Sequence, residues 1–202
     1  GLGDVYKRQD IFIMEVLKVM AGIVGGKINI QAGNVLIKNN DVGIKGKTVK
    51  IEGGKLEITS NDKGIDSVNL STNTAELNIS SNKVGIKASN VGLKSTTSTT
   101  ISNNTTGVDS KNLGLKSDGV INITGNETGV KGENVASVKG QTVVISSNQK
   151  GIVGENVFVK GDKVVINENT VGVKANNMDA KVNDFQMFDN VVGIKQAKIK
   201  KK

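Results

Sequence analysis

Apolar residues along this chain alternate with polar ones at intervals of two, in short runs that recur. In "GIVGENVFVKGDKVVINENTV", Ile152 stands alone, Val157 pairs with Val159, and Val164 pairs with Ile166. The first group recurs as Ile44, Ile65, Ile86 and Val108. The second recurs as Val49 with Ile51, Val91 with Leu93, and Leu113 with Leu115. The third recurs as Val35 with Ile37, Leu56 with Ile58, Leu77 with Ile79, and Ile121 with Ile123. A spacing of two is the period of a strand with one buried face; a helix needs apolar residues three and four apart. Each unit therefore predicts three short strands separated by turns.

The units have a fixed length. A glycine followed by Ile or Val stands at Gly22, Gly43, Gly64, Gly85, Gly107, Gly129, Gly151, Gly172 and Gly193, at steps of 21 or 22. Three residues earlier is an Asn in all but the first unit: Asn40, Asn61, Asn82, Asn104, Asn126, Asn148, Asn169 and Asn190. Val19 takes that place in the first. A second Asn row follows the glycine by five residues, at Asn69, Asn90, Asn112, Asn134, Asn156 and Asn177. The economical solution is an all-β coil of three strands per turn, stacked about eight times, with equivalent residues about 4.8 Å apart along a rod roughly 40 Å long. One coil buries too few aliphatic side chains to offset the ordering of its own backbone, so stacking is obligatory. The glycines are expected to permit a turn conformation closed to other residues. The Asn rows are expected to stack in turns, each amide bonding its neighbours above and below, and Asn tolerates positive φ well.

Composition narrows this further. The chain has no Cys, His, Pro or Trp and only 2% aromatics, so the core must be built from Ile, Val and Leu, and no disulfide or thiolate metal site exists. The formal charge of +8 is concentrated at the ends. "GLGDVYKRQ", residues 1–9, holds the only Arg and the only Tyr and resembles the conceptual translation of a transposase-end adapter from short-read library preparation. We set it aside as a non-native scar. On that view the native start is missing and the chain is a fragment of a longer reading frame. Residues 10–194 carry 20 Lys and 18 acidic side chains, so net charge gives no reason to expect a nucleic-acid partner. Residues 10–21 read as an N-terminal cap or partial coil, with Met14 and Val16 falling in the third-strand rows. Asp10, Glu15 and Lys18 interrupt this stretch too often for a membrane span. Residues 22–195 are the repeat, and 196–202 a basic tail. Met178, Phe185, Met187 and Phe188 enlarge the last coil and are expected to plug the open end of the core.

With the N-x-x-G-[IV] turn and alternating strands in hand, residues 22–195 resemble a right-handed parallel β-helix of the bacterial secreted or cell-surface type. The similar families are autotransporter-adhesin passengers and β-helical carbohydrate-binding domains; "KTVKIEGGKLEITSNDKGIDS" is most like the latter. A left-handed hexapeptide helix fits 21 and 22 residues less well. The resemblance implies a secreted or surface location and a non-catalytic role in adhesion or presentation. It implies contact with a glycan or host surface, no cofactor, and a monomer. The alternative is a carbohydrate-binding domain for an acidic polysaccharide. Polysaccharide lyases share this fold, but they commonly use clustered Asp and an Arg or Lys base, whereas the body here has no Arg and dispersed Asp.

Four sets of residues carry the candidate chemistry. Two residues after the glycine, Lys45, Asp66, Lys87, Asp109 and Lys131 alternate in sign, which suits register and solubility. Lys94, Lys116, Lys139, Lys160 and Lys181 end successive second strands and would form a basic ridge for an acidic polysaccharide or lipid head group; otherwise they are a solvated edge. Glu133 and Glu155 share a turn position in adjacent coils and are weak candidates for a cation site or carboxylate pair, with Lys131 and Lys111 near enough to neutralise them. Phe158 is expected to face outward beside Ala136, Val144 and Val165, as a weak contact site.

Overall fold

In the segment Val42–Thr59, Ile44, Val49, Ile51, Leu56 and Ile58 are fully buried, while Lys45, Lys47, Thr48 and Lys50 are exposed. A single strand cannot bury five aliphatic residues at such uneven intervals. The chain bends between the buried groups, so each group faces a common axis. The computed structural model describes residues 12–15 and 22–196, and they form a parallel β-solenoid of about eight turns with no helix.

The strands in chain order are β1 (Phe12–Glu15), β2 (Ile23–Lys38), β3 (Val42–Thr59), β4 (Lys63–Ser80), β5 (Val84–Ser102), β6 (Thr106–Ser117), β7 (Val120–Thr124), β8 (Thr128–Lys139), β9 (Thr142–Ser146), β10 (Lys150–Asn167), β11 (Val171–Phe188) and β12 (Val192–Gln196). Pairing is parallel throughout, each coil on the next. The three short strands expected per coil are mostly merged into one extended run that stays hydrogen-bonded around two corners. Only β6/β7 and β8/β9 divide a coil, at the corner between the second and third strands. The remaining break, in every complete coil, is the Asn corner.

Register follows the sequence period. Ile44 pairs with Ile65, Ile65 with Ile86, Ile86 with Val108, Val108 with Val130, Val130 with Ile152, and Ile152 with Val173. The change from 21 to 22 residues is absorbed by a slip between Thr74 and Glu76, and one extra residue in β8 slips the register between Gly132 and Val135, which pairs with both Asn112 and Asn156. Below β2, the backbone of Phe12 pairs with Val35 and Met14 with Ile37, two residues away from the register the period predicts; Val16 lies outside the described residues. At the far end, Phe185 and Met187 continue the Val164 and Ile166 columns but remain 40% and 47% exposed. They form the last layer rather than sealing it. Phe188 pairs with Asn167 in an outward row and is also exposed, while Met178 is half-buried against the core. No described helix is long and apolar enough to cross a membrane.

The glycine row has a different cause from the one expected. Among the non-glycine positions, positive φ falls on the residue before the ladder Asn: Asn39, Ser60, Ser81, Asn103, Ser147, Glu168 and Asp189; Gly125 takes that place in the remaining coil at φ 66°. The repeat glycines lie outside that region. They are required by close approach: a Cβ on Gly129 would stand 2.6 Å from the Gly151 carbonyl oxygen and nearer still to Ile123 Cγ2.

Candidate functional site

The Asn corner is closed chemistry. Asn104 is 2% exposed. Its backbone N–H donates to Asn126 Oδ1 at 3.0 Å, and its Nδ2 donates to the same oxygen at 2.9 Å. The same Nδ2 also reaches the carbonyls of Ile79 and Ser102, each at 2.9 Å. This pattern repeats from Asn40 through Asn169, with Asn190 as the final acceptor. The one loose end of this row is Asn40 Oδ1, buried without a partner among the described residues. The second Asn row is an exposed ladder: Asn90 Nδ2 donates to Asn69 Oδ1 and Asn112 Nδ2 to Asn90 Oδ1, both at 2.9 Å. At Asn134 the slip stretches the step to 3.4 Å, and Asn156 bonds the Asn134 carbonyl instead of its side chain. Both rows are scaffolding.

The lysine row is open chemistry. Lys94 pairs with Lys116, Lys116 with Lys139, Lys139 with Lys160, and Lys160 with Lys181, all exposed. The sequence period thus found a true in-register ladder. It lies at the corner between second and third strands, where segments 116–118, 139–141, 160–162 and 181–183 line an open groove of about 550 Å³. One lysine is neutralised: Lys116 Nζ is 3.0 Å from Asp118 Oδ1. Among the described residues, Lys94, Lys139, Lys160 and Lys181 have no ion pair. Lys116 holds the Asp118 carboxyl below the usual carboxylate range, first by its hydrogen bond and then by its charge, with Lys94 and Lys139 adding to the effect. That carboxylate therefore feels three members of the ridge at once.

The groove's rim and the row flanking the lysines on the other side were not evident from the lysine pattern. Asp118, Gln141, Asp162 and Asn183 follow the lysines by two residues and form the rim, with Asn183 Nδ2 donating to Asp162 Oδ1 at 3.4 Å. The outward row on the other side of the lysines is Gly92, Gly114, Ser137, Phe158 and Asp179, in register. Part of the signal was present, since residues two before each lysine share its strand face, whereas Asp118 and Gln141, two after, lie past the ends of β6 and β8 at the corner, where the fold alone places them.

The other candidates separate. Phe158 is 44% exposed as expected, but its ladder neighbours are Ser137 and Asp179. Ala136 is fully buried on the opposite face, and Val144 pairs with Val165 in the third strand, so the proposed apolar patch does not form. Glu133 and Glu155 are both exposed, and the register slip falls beside them. Lys131 neutralises Glu133 at 3.1 Å and Asp109 at 3.2 Å. The Glu133 hydrogen bond raises the Lys131 pKa against the opposing effect of burial, with Asp109 assisting. No group of three or more acids forms a cation site among the described residues. The alternating row is in register as predicted, Lys45 opposite Asp66, Asp66 opposite Lys87, Lys87 opposite Asp109 and Asp109 opposite Lys131, and within it Asp109 and Lys131 form an ion pair.

The geometry defines a repeat protein of the parallel β-solenoid class with a groove in which, among the described residues, Lys139, Lys160 and Lys181 have no ion pair. Comparison with protein-family models, curated proteins and solved structures found no match.

Proposed function

We propose that this chain is a non-catalytic segment of a secreted or cell-surface β-solenoid that works in adhesion or presentation, meeting a glycan or surface along one side of the rod. The observation that carries this reading is the division of its polar ladders. The buried Asn row satisfies itself, and the sign-alternating row sets opposite charges in register, whereas the Lys94–Lys181 row stacks like charge on like. A face that leaves cations unpaired in a groove is suited to an anionic partner.

A second reading, a carbohydrate-binding domain for an acidic polysaccharide, is favoured by the groove itself, whose lysines alternate with carboxylates and amides able to bond sugar hydroxyls. A binding screen against immobilised uronic-acid polymers, neutral glycans and cell surfaces tests both. Retention on uronic-acid polymers that Lys116→Glu and Lys160→Glu abolish supports the carbohydrate reading. Cell-surface binding indifferent to those changes supports adhesion through another face.

A further inference from the structure

The lysine ladder has a fixed pitch. Parallel strands set Lys94, Lys116, Lys139, Lys160 and Lys181 about 4.8 Å apart along the axis. A polyanion matched to it must carry one negative group per step. Phosphates along one strand of a duplex repeat about every 3.4 Å of axis and drift out of step within a few coils. A polymer of uronic acids carries one carboxylate per pyranose ring, and one ring with its linkage spans close to one ladder step.

The surroundings select in the same direction. Asp118 and Asp162 stand on the rim, so a chain dense in sulfate or phosphate meets repulsion there, while hydroxyls find an acceptor in Asp162 and donors in Gln141 and Asn183. On the other side of the lysines, outside the groove, the row Gly92, Gly114 and Ser137 carries almost no side chain. That row continues to Phe158, 44% exposed and on the same strand face as Lys160. An aromatic ring beside a cation is a seat for the C–H face of a sugar whose carboxylate reaches the ammonium.

We infer that an unbranched polyuronate lies along the solenoid axis with one carboxylate per coil on Lys94 to Lys181 and one sugar ring against Phe158. This rests on the carbohydrate-binding reading and adds its register, direction and length. Lys116 is the weakest of the five subsites because Asp118 already occupies it. The array from Lys139 to Lys181 is the strongest part.

The test is a graded series of purified oligouronates, shorter and longer than five rings, titrated calorimetrically into the intact chain. Affinity is expected to rise with each ring and level near five, and to weaken with added salt. Lys139→Gln and Lys160→Gln should each weaken the longest ligand by roughly two- to fivefold, the range of an exposed ion pair. Lys87→Gln, on the sign-alternating row, should leave it unchanged. Phe158→Ala should weaken binding without changing its salt dependence, with circular dichroism confirming the fold of each variant. Uronates that bind with no chain-length dependence, or that ignore Lys139→Gln and Lys160→Gln, overturn the axial register and leave the carbohydrate reading standing. A polyphosphate that binds as tightly as a polyuronate overturns the selectivity. Binding of neutral glycans alone overturns the inference, and failure of every glycan to bind overturns the carbohydrate reading with it.

Discussion

Two rows of identical residues climb this solenoid, and stacking acts on them with opposite sign. In the Asn row, each added coil supplies an acceptor for the amide and backbone N–H of the one before, in a site only 2–3% exposed from Asn40 to Asn169. In the Lys row, each added coil places another ammonium directly opposite the last. Like charges paired across strands destabilise a sheet. Repetition in a solenoid therefore does not by itself mean scaffold. A row whose members satisfy one another is structural; a row whose members repel one another gains nothing from register unless a partner supplies the missing charge.

The comparison breaks if the Asn row proves dispensable. Asn104→Ala removes the acceptor of the buried Asn82 N–H and several amide bonds. It should cost about 3 kcal/mol in urea unfolding, because a buried donor is left unpaired. A cost near zero would mean water replaces the ladder amide. Next in size is the glycine that lets the coils approach beside that corner. Gly129→Ala should cost about 2 kcal/mol as its Cβ meets Ile123 and the Gly151 carbonyl, measured the same way. A left-handed backbone at that position is not the reason, so Gly129→Asn should be no better tolerated than Gly129→Ala.

The lysine row should respond in the other direction. Lys139→Gln removes the like charge opposite Lys160, Lys116 on its other side being paired with Asp118, and should raise stability by roughly 0.2–1 kcal/mol at low salt, an increment that shrinks as salt is added. A loss of stability would place Lys139 among the structural residues. Smallest is the change at the groove's one internal ion pair. Asp118→Asn frees Lys116 and adds one net positive charge to the groove without altering its shape. It should tighten polyuronate binding by about two- to threefold, within the range of an exposed pair. Weaker binding would show that Asp118 contacts the ligand rather than competing with it.

Much of the fold was legible because a solenoid converts sequence separation into contact. Residues 21 or 22 apart become neighbours, so the alternation of Ile65, Leu70 and Leu77 and the recurrence of Asn61, Asn82 and Asn104 already state which side chains touch. The lysine ladder was legible for the same reason. What misled was local: Phe158 was assigned to a patch with Ala136, Val144 and Val165, which the alternation of strand faces and an intervening corner keep apart.

By itself, then, the sequence determined the period, the strand character, the aliphatic columns and the rows of Asn and Lys, because each depends only on spacing along the chain. Tertiary structure alone decided where the corners bend and which rows close on themselves. It moved the positive φ to the residue before each ladder Asn, set the glycines against an isoleucine and a carbonyl, and slipped the register beside Glu133. It also gave Lys116, Lys139, Lys160 and Lys181 a groove with a polar rim. These depend on distances across a bend, and such distances are fixed by how tightly one coil packs on the next.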